Sequence, residues 1–94
     1  MDQKTEDFYK RLKEKLSNTS LWPAEYLYKF IVPSDLEKIN SVENSFNNMG
    51  AVIKTTKSKE GKFTSISVNV KMKNPEYVIK KYIEVSTVEG IISL

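Results

Sequence analysis

The stretch Lys62-Phe63-Thr64-Ser65-Ile66-Ser67-Val68-Asn69-Val70-Lys71-Met72 alternates as a half-buried β-strand must. Successive strand side chains point to opposite faces, so Thr64, Ile66, Val68, Val70 and Met72 share one face and Phe63, Ser65, Ser67, Asn69 and Lys71 the other. The first face seeks a core, and the second is almost wholly polar. Ser58-Lys59-Glu60-Gly61 leads in as a hairpin turn and Asn74-Pro75 ends the run. Such a strand belongs at the centre of a small sheet covered on one side.

On its N-terminal side, residues 51–57 form a short strand rich in threonine and lysine, which suits a sheet edge guarded against stray pairing. Before it, Leu36, Ile39, Val42, Phe46 and Met49 mark one side of a helix that closes at Gly50. Ser34-Asp35-Leu36-Glu37 has capping-box spacing, with Ser34 as the cap and Glu37 reaching back. Residues 24–32 alternate again, with Tyr26, Tyr28, Phe30 and Val32 on one face and Leu27, Lys29 and Ile31 on the other. The aromatic face is assigned to the core, because Lys29 at mid-strand would be costly to bury.

Beyond the central strand, Asn74 can cap and Pro75 can occupy the first turn of a helix whose Val78, Ile79, Tyr82 and Val85 form an apolar stripe. Residues 88–94 give a last strand. At the other end, residues 5–18 read as a peripheral amphipathic helix with a narrow stripe of Phe8, Leu12 and Leu16 widened by Tyr9. Asn18-Thr19-Ser20 stops it, Pro23 biases Trp22 toward extended angles, and Trp22 reads as a packing anchor.

The domain plan is therefore an N-terminal helix and lead-in over residues 1–21, then strand, helix, strand, strand, helix, strand over residues 22–94. That order is the split βαβ, ferredoxin-like βαββαβ arrangement, an α+β fold. Right-handed crossovers would place both later helices on one face of a four-stranded antiparallel sheet. The opposite face then displays Leu27, Lys29 and Ile31 beside Phe63, Ser65, Ser67, Asn69 and Lys71. Leu27, Ile31 and Phe63 call for a cover, either the N-terminal helix folding back or a second copy of the chain.

Composition narrows the chemistry. The 94 residues make one domain that buries roughly 60 to 70% of its unfolded surface, and 39% hydrophobic with 29% charged residues is ordinary for a globular chain. No apolar run reaches the roughly 18 residues that span a bilayer, and the first residues lack the order of a signal peptide, so a cytoplasmic address is expected. Neither cysteine nor histidine is present, which removes thiolate nucleophiles, disulfides, most zinc sites and the commonest neutral-pH base. No cofactor and no metal are expected. The net charge of +3 is the small difference of 15 basic and 12 acidic side chains, a mixed surface rather than a basic patch. Arg11 is the sole arginine, so bidentate phosphate recognition is poorly equipped.

Trp22-Pro23 before the first strand, Phe30-Ile31-Val32-Pro33 at its end, Gly61-Lys62-Phe63-Thr64-Ser65-Ile66-Ser67-Val68 across the hairpin and Val88-Glu89-Gly90 near the end resemble the YbeD-like bacterial domains of unknown function. The resemblance covers residues 22–94. It is most specific over Gly61 to Val68, and the helices match in pattern alone. It implies a ferredoxin-like fold similar to the ACT regulatory domains that bind amino acids in metabolic enzymes, and it brings no established catalytic residues. ACT ligand sites lean on a glycine-containing loop after the first strand, where this chain has Pro33-Ser34-Asp35.

Three function classes fit such a plan, and fold alone does not choose among them. One is a regulatory or protein-interaction module using the open sheet face or a sheet edge, with Lys29, Phe63, Ser65, Ser67, Asn69 and Lys71 as candidate partner-binding residues and a protein partner or homodimer as its complement. The alternatives are a small-ligand-sensing ACT-like domain and a weak nucleic-acid binder through the hairpin lysines Lys54, Lys57, Lys59 and Lys62. Base stacking of the RRM kind needs two or three exposed rings on the first and third strands, and here Phe63 alone is expected there, so nucleic acid is not the expected partner. Catalysis is not expected either. An acylphosphatase-like site would need an arginine in the loop after the first strand, the carboxylates are unpaired, and Gly50, Gly61 and Gly90 form no phosphate loop.

Overall fold

A computed structural model describes residues 3–94. The elements run α1 (Gln3–Thr19), β1 (Ala24–Pro33), α2 (Leu36–Asn44), β2 (Val52–Lys57), β3 (Phe63–Met72), α3 (Pro75–Val85) and β4 (Ile92–Ser93). The strands form one four-stranded antiparallel sheet in the order β2-β3-β1-β4, and the fold is mixed α+β with three helices. Long β1 and β3 pair along their full lengths, with Tyr28 opposite Val68 and Lys29 opposite Ser67.

Alternation on β3 falls as the residue types demand. Thr64, Ile66, Val68, Val70 and Met72 are buried, as are Tyr28, Phe30 and Val32 of β1. They meet Val42 of α2, Phe46 of the turn after it, and Val78, Tyr82 and Val85 of α3 in a single core on one side of the sheet. Burying each of the apolar side chains among these contributes about 1.5–3 kcal/mol. The aromatic rings interlock at its centre: Tyr28 lies 5.0 Å from Phe46 and 4.9 Å from Tyr82, centroid to centroid. Their hydroxyls are satisfied in place, Tyr28 donating to the Val78 carbonyl (3.1 Å) and Tyr26 bonding Tyr82 (2.8 Å).

Four local expectations change. Ser34 does not cap α2: its hydroxyl bonds the buried Thr64 hydroxyl at 2.8 Å and its N–H stays in the ladder with Lys62, so Asp35 caps instead, accepting from the Glu37 N–H at 2.9 Å. α2 stops at Asn44 rather than near Met49, because Ser45, Asn47 and Asn48 favour local bonds over the helix. Ser45 bonds back to the Ser41 carbonyl and Asn48 takes φ +63°, so Phe46 enters the core from a turn, while Leu36 at the first helical position faces solvent. The last strand is far shorter than residues 88–94. Thr87 and Val88 still bond back to Glu84 and Val85, and Gly90 at φ +82° redirects the chain, which reaches the sheet at Ile92. Val88 and Ile91 pack against the core instead.

The fourth concerns α1. It does not fold back over the exposed sheet face; Tyr9, Leu12 and Leu16 pack on the core side beside α3. The Tyr9 ring lies 6.5 Å from Tyr82, and Lys13 pairs with Glu76 at 3.3 Å. Trp22 anchors the end of α1 by donating its ring N–H to the Leu16 carbonyl at 3.1 Å. Asn74 caps α3 with Pro75 in its first turn, as expected, and Lys81 ties α3 to the turn after α2 by donating to the Ser45 carbonyl and pairing with Glu84. No helix among the described residues is long and apolar enough to cross a membrane.

Candidate functional site: the open sheet face

With all three helices on one side, the other side of the sheet is bare. Register assembles it row by row. Lys54, Ser67 and Lys29 lie in line across β2, β3 and β1; Thr56, Ser65, Ile31 and Ile92 form the next row; and Phe63 opposite Pro33 closes that end. In the other direction come Val52, Asn69 and Leu27, then Lys71 opposite Glu25. The six residues expected on this face, Lys29, Phe63, Ser65, Ser67, Asn69 and Lys71, are thus brought together on it.

The face is apolar at its margins and polar at its centre. Leu27 is 50% exposed, Phe63 46% and Ile92 53%, large values for apolar side chains. Ser67 sits half-buried in the middle between two lysines, and the Ser65 hydroxyl is turned toward the sheet, donating to the Thr56 carbonyl at 3.3 Å. Next to Ser65 lies a depression of about 370 Å³, open to solvent and lined by Ile31, Thr56, Lys57, Ser58, Phe63 and Ser65. Among the described residues of these rows, Lys29, Lys54 and Lys71 stand against the carboxylate of Glu25 and give the face a positive balance.

The hairpin lysines lie along β2 and in the turn that follows it. Lys54 faces the open side at mid-strand opposite Ser67, Lys57 stands opposite Thr64 at the strand end, Lys59 lies in the turn, and Lys62 is paired with Glu60 at 3.9 Å. The turn itself is well made: Gly61 at φ +76° donates to the Ser58 carbonyl (2.9 Å), and the Ser58 N–H donates to the Phe63 carbonyl (2.7 Å). Among the described residues no cluster of three or more acidic side chains could hold a metal ion.

Sequence reading missed Glu25, Val52 and Ile92 as members of the face. Glu25 lies just inside the first strand, where its parity with Leu27 was the available signal; Ile92 depended on the unreadable register of β4. Comparison with protein-family models, with curated proteins and with solved structures finds no match.

Proposed function

We propose that this chain is a non-catalytic interaction module that engages a protein partner through its open sheet face, on a ferredoxin-like frame. The frame is supported by the strand order, with β1 and β3 antiparallel at the centre and β2 and β4 outside, and by helices following β1 and β3 in sequence. The hairpin's resemblance to the YbeD-like domains is in keeping with it. One observation carries the functional reading: α1, the internal candidate for a cover, is spent on α3, so Leu27, Phe63 and Ile92 stay about half exposed around Ser65 and Ser67.

Charge favours a different protein over a second copy. Two such faces brought together would oppose Lys29, Lys54 and Lys71 with lysines, whereas a partner bearing carboxylates among apolar side chains would meet them favourably. The test is capture from lysate by tagged protein, wild type beside Ser67→Arg and beside Lys80→Glu on the exposed side of α3. A partner held by wild type and Lys80→Glu and lost with Ser67→Arg supports the reading. Equal capture by all three overturns it.

A further inference from the structure

The two central strands are unequally flanked. β3 has partners on both sides, ten residues of β1 and six of β2. β1 is paired over ten residues with β3 but with β4 only at Phe30 and Ile31, extended by the Leu94 N–H donating to the Lys29 carbonyl at 2.9 Å. Because the N–H and C=O of a strand residue point to one side and alternate along the chain, that bond places the backbone groups of Glu25 and Leu27 on the same edge as those of Lys29. Toward β3 the even-numbered residues bond, as the Ser34 N–H to the Lys62 carbonyl confirms. Among the described residues no backbone bond outside the sheet ladders reaches Glu25 or Leu27, and both residues are exposed.

We propose that this free edge, residues 24–28 of β1, is a strand-addition site that takes an extended segment of a partner protein, antiparallel to β1 and in line with β4. The proposal rests on the interaction-module reading and names the edge as the place where the partner's main chain binds. Edges are ordinarily guarded. β2 carries Lys54 and Lys57, one on each face, whereas Ala24-Glu25-Tyr26-Leu27-Tyr28 holds neither lysine nor proline and is rich in strand formers. An added strand would continue a ladder already begun at Ile31 and Lys29, gaining main-chain bonds from Leu27 and Glu25.

Register also specifies the ligand's side chains. Reading onward in the direction of β4, the second residue past Leu94 stands opposite Leu27 and the fourth opposite Glu25, both on the open face. An apolar residue followed two places later by a lysine or arginine fits those neighbours. A second copy does not fit. Two β1 strands paired about Tyr26 would set the partner copy's Pro23 opposite Lys29, where Leu94 already sits.

The test is this 94-residue chain with Thr-Val-Thr-Lys-Thr added after Leu94, compared with the same chain without a tail and with a Thr-Pro-Thr-Lys-Thr tail. The tether holds the segment beside the edge at high effective concentration, so absence of pairing is informative. Amide exchange of Glu25 and Leu27 should slow by about tenfold or more with the first tail and return to wild-type rates with proline, which removes the bonding N–H. Glu25→Lys should weaken the protection, and a glutamate in place of the tail lysine should restore it. Unchanged exchange at both amides, or protection of β2 instead, overturns the edge site. That outcome is distinct from a failure of the Ser67→Arg capture experiment, which reads the face and not the edge.

Discussion

Tyr28 and Tyr82 are the two ionisable side chains whose surroundings most disturb them. Burial chiefly pushes both phenols well above their ordinary range, with Tyr26 adding to each, through its charge at Tyr28 and chiefly through the shared hydrogen bond at Tyr82. The folded protein therefore holds these protons where the unfolded chain, titrating near pH 10, releases them. Their contribution to stability is complete below about pH 10 and is lost as pH rises toward the folded values. Denaturant midpoints measured from pH 8 upward should fall steeply above about pH 10, and the fall should be shallower in Tyr28→Phe, where one of the two buried phenols is gone. A midpoint independent of alkaline pH would contradict the burial of both rings. The tyrosines' inward face was readable from alternation, but not the partners of their hydroxyls, since Tyr26 and Tyr82 are 56 positions apart.

At the scale of elements, what could be read depended on how much a segment decides for itself. β1, β3 and α3 carry periodicity or caps within their own residues, and each lies close to where those signals put it. α2 and β4 do not. The start of α2 offers adjacent serine and aspartate, both good caps, and the choice is made by Thr64, 30 residues away, whose buried hydroxyl takes Ser34 as partner. Asp35→Ala should accordingly destabilise the protein by about 1 kcal/mol through the lost cap. Ser34→Ala should cost about 1–3 kcal/mol by stranding the Thr64 hydroxyl, and Ser34→Ala combined with Thr64→Val should recover much of that loss. Thermal melts of the four proteins decide it; an Asp35→Ala without effect would return the cap to the serine. β4 was over-read because Val88 and Ile91 are apolar for the core, not for a ladder.

For the whole molecule the governing fact is one-sidedness: helices, core and α1 occupy one face of the sheet and leave the other to solvent. The open face was legible in the sequence because polar side chains alternate through β3, but the docking of α1 was not, since a stripe of Phe8, Tyr9, Leu12 and Leu16 fits either side equally well. Neighbouring residues at the centre of the sheet give the sharpest test. Val68 is fully buried opposite Tyr28, and Ser67 lies on the far side between Lys29 and Lys54. Val68→Asp places an unpaired carboxylate among Tyr28, Phe46 and their neighbours, a change expected to exceed about 4 kcal/mol and to unfold a domain of this size. Ser67→Arg adds a cation between two lysines in water, a repulsion worth no more than about 1 kcal/mol. Circular dichroism and denaturant titration of the pair should thus show one unfolded and one near-native protein. If Ser67→Arg were to lose as much stability as Val68→Asp, the supposedly bare side would have to be covered in solution, and the partner would be one the protein already carries.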